Sequence, residues 1–203
     1  MGIVIQDFKV YNLVRAVYDA RNAMNSWDRS DSDLDKDILG VNDLAFAMKL
    51  VRSGSDHRKF MRQIFVVVDI EAPLYWWKEF DTYKVGTVAN SCSTMHKIHS
   101  KKLELDDMST DKLDEAGIQL MGAIVDYINH NIYNYNATKS KTYWYRIIQM
   151  LPSSFDQLRS VSLNYEVLRN IYHARKNHKL DEWHKFCKEI EKLPHSELIT
   201  VEG

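Results

Sequence analysis

The stretch Leu151–Arg175 reads LPSSFDQLRSVSLNYEVLRNIYHAR, with Asn164 12 residues after Pro152 and Arg175 11 residues after Asn164. Ser153 or Ser154 is placed to cap a helix that begins near Asp156 and runs to about His173. On a helix turning once per ~3.6 residues, Asn164, Leu168 and Arg175 share one face. That face carries an amide and a fixed positive charge, which suits an anionic, hydrogen-bonding ligand. The nearby cluster of Arg169, Arg175, Lys176, His178 and Lys179 is ordinarily a solvated basic face, with a phosphate clamp as the functional reading, and pattern alone leaves the two undecided.

Working outward, a last amphipathic helix, Leu180 to Leu193, places Leu180, Trp183, Cys187 and Ile190 on one side. Upstream, Trp144 to Met150 leads into Leu151-Pro152, and the Asn-rich stretch Asn129 to Lys141 reads as a mobile loop. Asp111 to Asn131 has a helical pattern through Leu113, Ile118, Met121, Ile124, Val125 and Ile128. Leu103 to Thr110 reads as a charged surface connection. Gln63 to Glu71 contains IFVVVDI, a β-branched run expected to form a buried strand. Ala72-Pro73 stops it, and Leu74 to Phe80 restarts as a helix. Asp81 to Ser93 is small, polar and irregular, a candidate binding loop. Nearer the start, Leu13, Ala16, Val17, Ala20 and Met24 mark a helix, Asn25 to Leu39 a polar loop, and Asn42 the cap of a helix over Asp43 to Arg52. A helical turn covers His57 to Met61. One long strand among six or so helices predicts an α+β fold, helix-rich with a small sheet, as a single domain over residues 1–203.

Composition excludes several classes. With 27 Lys and Arg against 28 Asp and Glu, the net charge of −1 offers no bulk attraction to nucleic acid or to an anionic membrane. No apolar run approaches the ~18 residues that span a bilayer, and the interrupted start is not a secretory signal. Cys92 and Cys187 form no disulfide framework or metal spacing, consistent with a reducing, cytoplasmic setting. A lone Cys92 reads better as a small buried residue than as a nucleophile. Trp76-Trp77 reads as helix packing rather than a stacking platform. The surplus of aromatic residues suits clefts or subunit interfaces. The portable motifs for dinucleotides, phosphate loops, nucleophile elbows and zinc are absent, and His96 with His99 lacks further ligands.

The spacing Leu151-Pro152 … Asn164-x-x-x-Leu168-x-Asn170 … Arg175 resembles that of the flavin-dependent thymidylate synthases, or thymidylate synthase complementing proteins. There a Leu-Pro precedes N-A-R-S-L-x-N-F-L-x-L-R at the same intervals. A second block agrees in order: His57, a strand, Ala72-Pro73, an aromatic helix, and a loop ending in Asn90 and Ser93. The departures are specific. The family's R-H-R triple falls on Thr82-Tyr83-Lys84 or on Tyr83-Lys84-Val85, depending on the anchor. Ser91 stands for a Glu, and Met95, Ile148 and Glu166 stand for arginines. Arg62-Gln63 replaces an E-H pair.

The resemblance implies methylation of dUMP to dTMP by methylenetetrahydrofolate and reduced FAD, with NADPH as reductant and no cysteine nucleophile. It implies flavin contacts from His57, Lys84, Asn164 and Asn170. It implies nucleotide contacts from Asn90, Ser93, the Thr94 backbone and Arg175, with Arg175 and Ser93 as catalytic residues and no metal. A homotetramer with shared sites is implied as well. The altered signature leaves open a member that binds flavin or nucleotide without the reaction, or that modifies a different pyrimidine nucleotide.

Overall fold

A computed structural model of the chain describes residues 2–202. Four strands, β1 (Val4–Tyr11), β2 (Phe65–Pro73), β3 (Val88–Ser91) and β4 (Asp156–Asn164), form one sheet in the order β1-β2-β4-β3. The helices are α1 (Leu13–Asp19), α2 (Val41–Arg52), α3 (Leu74–Phe80), α4 (Thr94–Lys97), α5 (Glu115–Thr138), α6 (Lys141–Met150), α7 (Tyr165–Arg175), α8 (Asp181–Ile190) and α9 (Glu197–Thr200). The architecture is helix-rich with a small sheet, the expected α+β class.

β2 is the strand the β-branched run predicts, but it runs on through Ala72-Pro73, which were expected to stop it, and α3 starts directly after Pro73. The strand lies inside the sheet, and Val66, Val68, Ile70 and Ala72 are fully buried. Its central partner β4 corrects the expected helix from Asp156 to His173. Along β4, Gln157, Val161 and Leu163 are buried while Leu158, Ser160 and Ser162 are exposed, the two-residue period of a strand. Polar Gln157 and Arg159 on the inner side hide that alternation in the sequence. The helix begins only at Tyr165, and Asn164, not Ser153 or Ser154, is its cap. The edge strands β1 and β3 are also absent from the sequence reading. Each pairs on one side only, so neither needs a continuous apolar run.

Further corrections share a cause: composition concealed local geometry. The Asn-rich stretch is helix over residues 129–138, because Ile128 and Ile132, with the partly buried Tyr135, continue the inward stripe of α5 and Asn131 donates to the Tyr127 carbonyl at 2.8 Å. Lys139, at φ 56°, ends that helix. The charged 103–110 connection buries Leu103, Met108 and Ser109. Asn42 does not cap α2; the Asp31 carboxylate accepts from the Asn42 and Asp43 amides at 2.9 and 3.0 Å.

The chain divides into two compact units. The first comprises residues 1–4, 70–82 and 90–159. Its core joins Ile98, Leu103, Met108, Val125, Ile128, Ile132, Ile147 and Phe155. In α3, Trp76 and Trp77 are fully buried, each packed against Phe80, which supports packing over stacking. Burial of each large apolar side chain stabilises by ~1.5–3 kcal/mol. The second comprises residues 5–69, 83–89 and 160–203. It buries Leu168 and Ile171 of α7, Trp183, Phe186 and Ile190 of α8, and Leu198 and Ile199 of α9. Trp76, Trp77 and Trp183 thus belong to cores rather than to clefts.

Candidate functional site

The second unit holds five of the predicted site residues. Asn164 is buried at the start of α7, where its side-chain oxygen accepts from the Val167 amide at 3.0 Å. That bond satisfies one of the unpaired N–H groups of the first turn. Its amide nitrogen faces the 83–89 segment: a Cβ built on Gly86 would lie 3.0 Å from Asn164 Nδ2. Gly86 has φ +77°, a conformation that also favours glycine.

Arg175 ends the same helix, about 16 Å along its axis from Asn164 at ~1.5 Å per residue. Its Nε donates to the Tyr83 hydroxyl at 2.9 Å. Its guanidinium carbon also lies 5.6 Å from the Tyr83 ring centre and 4.9 Å from that of Trp183. Arg175 is therefore held in an aromatic setting, and its neighbour Tyr83 is one of the residues standing in the altered signature. The 83–89 segment thus meets α7 at both ends, through Tyr83 with Arg175 and Gly86 with Asn164.

Glu166, where the motif has an arginine, is buried and paired. Arg58 Nε donates to both of its carboxylate oxygens, at 3.2 and 3.0 Å. Arg58 lines a cleft of about 520 Å3 with Arg169, Asn170, His173, Ala174 and Glu202. Asn170 is exposed there, with no hydrogen-bond partner among the described residues. Arg169 is buried, which corrects the solvated-face reading for this residue. Its guanidinium donates to the backbone carbonyls of Ile199 (3.0 Å) and Val201 (2.5 Å). Burial, and then the positive charge of Arg58, lower its pKa. His173 is likewise lowered, by burial first and then by Arg169, and its Nε2 lies 3.1 Å from the Ile199 carbonyl. His57 and Lys84 are exposed. His57 borders a different cleft, of about 720 Å3, with Asp19, Asn22, Lys59 and Arg62.

The first unit holds Asn90, Ser93 and Thr94. Asn90 is exposed on β3, so the expected irregular loop ends in an edge strand. Ser93 caps the short helix α4, its Oγ accepting from the His96 amide at 3.2 Å. Ser93 and Thr94 line a cavity of about 280 Å3 together with Cys92, Asp156, Gln157 and Lys97. Cys92 is exposed, not buried as expected, and its carbonyl accepts from Gln157 Nε2 at 2.9 Å. The Asp156 carboxyl accepts from Ser109 Oγ at 2.7 Å. Burial nevertheless pushes its pKa up to about 6. Among the described residues, no group of three or more His, Cys, Asp or Glu side chains is placed to hold a metal ion. No helix is long and apolar enough to cross a membrane.

Arg58 and Asp156 were missed by the sequence reading. For Arg58 a signal existed: a Glu at a position of arginine, on a buried helix turn, requires a cationic partner. Asp156 carried none, because its helix assignment gave no reason to expect burial.

No protein-family model matches the sequence, and no curated protein matches it in sequence. Solved structures do match its fold. The flavin-dependent thymidylate synthase ThyX from Helicobacter pylori, complexed with FAD and dUMP, aligns with a TM-score of 0.70 at 16% identity, covering 98% of each chain. A second H. pylori ThyX structure with FAD and dUMP gives 0.69 at 15% identity, over 98% of this chain and 97% of that one. The UMP/dUMP methylase PolB from Streptomyces cacaoi, bound with 5-Br dUMP, gives 0.60 at 13%, over 94% and 88%. The chain therefore has the fold of the flavin-dependent thymidylate synthases.

Proposed function

We propose that this protein is a flavin-dependent methylase of a uracil nucleotide, converting dUMP to dTMP with methylenetetrahydrofolate as carbon donor and NADPH as reductant. The observation that carries this reading is the whole-length match of fold to proteins crystallised with FAD and dUMP. The donor set supports it: the open amide of Asn170 and the guanidinium of Arg58 line one cleft and fit an anionic, hydrogen-bonding cofactor, and the exposed Lys84 and His57 are further proposed flavin contacts. Asn90, Ser93, the Thr94 backbone and Arg175 are the proposed nucleotide contacts, and Ser93 and Arg175 the catalytic ones. When bound, reduced FAD supplies the two electrons that turn the transferred one-carbon unit into a methyl group. The chain's own task is to position the uracil and to stabilise charge on it.

Purification with a yellow flavin band, and dTMP formation from dUMP with folate and NADPH, test the reading directly. A colourless protein whose melting temperature is unmoved by FAD and dUMP sinks it. A second reading has its own observation. Arg175 is engaged by Tyr83 and Trp183, and Asn164 by its helix, which supports a binding or regulatory protein without methyl transfer. Flavin binding with no dTMP would select that reading.

We further propose self-association as a cytoplasmic homotetramer. Leu120, Tyr127 and Tyr133 on α5, and Tyr145 and Met150 on α6, are exposed large apolar residues, as an interface requires. Light scattering coupled to gel filtration decides: a monomeric mass at micromolar concentration removes this proposal.

A further inference from the structure

The Arg58–Glu166 pair has an unusual division of its donors. The Glu166 carboxylate accepts hydrogen bonds from Nε alone, and neither terminal nitrogen of Arg58 has a hydrogen-bond partner among the described residues. The side chain is only 16% exposed, and it lines the 520 Å3 cleft beside the open amide of Asn170. A partly desolvated guanidinium with free terminal donors is poised for a further acceptor, and its planar fork matches two phosphate oxygens. The local field agrees. Arg169 lies near enough for Arg58 to disfavour its charge, and among the described residues Glu202 is the one carboxylate that lines the cleft. Glu202 is held by Lys176 at 2.7 Å, and its side chain is 82% exposed.

We propose that Arg58, oriented through Nε by Glu166, is a phosphate-binding residue of the Asn170 cleft, supplying through its terminal nitrogens the guanidinium that the sequence of α7 lacks. Glu166 removes an arginine from the helix and at the same time fixes another one, from the turn after His57, over the same cleft. The ligand chemistry is a phosphate or diphosphate. Its source is a dinucleotide cofactor or a mononucleotide substrate, and the inference rests on the flavin reading only for that choice.

The test titrates FAD, dUMP and inorganic pyrophosphate separately into the wild-type chain, R58K and E202Q, by calorimetry and by flavin fluorescence. R58K keeps a positive charge but cannot contact Glu166 and present a two-pronged fork at once. It is expected to weaken pyrophosphate, and whichever of FAD or dUMP carries the bound phosphate, by tenfold or more. E202Q, an exposed neutralisation, is expected to tighten the same ligand several-fold. Should R58K destabilise the fold, R58Q/E166Q replaces both charges by amides of similar shape and carries the same expectation.

Wild-type binding of FAD, with R58K leaving FAD, dUMP and pyrophosphate affinities all unchanged, overturns the Arg58 site and spares the flavin reading. Binding of pyrophosphate that depends on Arg58, without any binding of FAD, sinks the flavin reading and upholds the site. Absence of all three ligands from the wild-type chain overturns both.

Discussion

Arg175 donates through Nε to the hydroxyl of Tyr83 at 2.9 Å, and its guanidinium also lies over the Tyr83 and Trp183 rings. Tyr83 stands within the segment aligned with the R-H-R triple, so the altered signature and the retained helix motif are bonded to each other. A single hydrogen bond of this kind contributes ~1 kcal/mol net, and each cation–ring contact ~0.5–1 kcal/mol. We therefore expect Y83F to cost ~1 kcal/mol and R175A ~2–3 kcal/mol in urea unfolding. In a double-mutant cycle the two losses should be coupled by ~1 kcal/mol. Additive losses, or an R175A protein as stable as wild type, would show that Arg175 is only surface charge.

Asn164 and Gly86 are the corresponding pair at the other end of α7. N164A removes the cap bond to Val167 and should cost ~1 kcal/mol. G86A meets three obstacles: the positive φ, worth ~1–2 kcal/mol for a residue with a Cβ, the approach to Asn164 Nδ2, and a second approach to Val167 Cγ2. Because truncating Asn164 relieves the second obstacle but not the other two, G86A/N164A should be less destabilised than the two single losses combined. Thermal melts of the four proteins decide this, and strict additivity would place the close approach elsewhere.

The sequence disclosed what apolar patterning could express. The run IFVVVDI gave β2, and LYWWKEF gave α3 from Leu74 to Phe80, because each buries an apolar set: Ile64, Val66, Val68 and Ile70 in the first, Trp76, Trp77 and Phe80 in the second. What failed was polar at the inward positions. Gln157 donates to the Cys92 carbonyl and accepts from Arg159, and Arg159 lies 4.2 Å from the Trp77 ring centre, so β4 is held by polar partners that no hydropathy pattern reveals. The candidate site was legible in the same partial way. Asn164 and Asn170 were found by spacing, but Arg58 replaces a helical arginine from over a hundred residues away in sequence, and only tertiary structure joins the two.

Asp156 gives a pH dependence whose sign is fixed. Its carboxyl is raised from the ordinary 3.8 to about 6, chiefly by burial against the partial offset of the Ser109 hydrogen bond. Between those two values the folded chain binds more protons than the unfolded chain, so the contribution to stability falls as pH rises. It is fully present below about pH 4 and lost once pH passes the folded value near 6. D156N keeps an oxygen for Ser109 and carries no charge to desolvate. It should therefore match wild type near pH 4 and exceed it at pH 7.5 by on the order of 1–3 kcal/mol. Urea unfolding of both proteins across pH 4 to 8 measures the difference, and a wild-type advantage at pH 7.5 would mean that the ionised carboxylate is a stabilised group, not a buried burden. Since Asp156 lines the cavity that holds Ser93 and Thr94, the same titration should appear in nucleotide binding. If the phosphate sits in that cavity, wild-type affinity relative to D156N should fall as pH rises through about 6, a ratio in which the phosphate's own ionisation in the same range cancels.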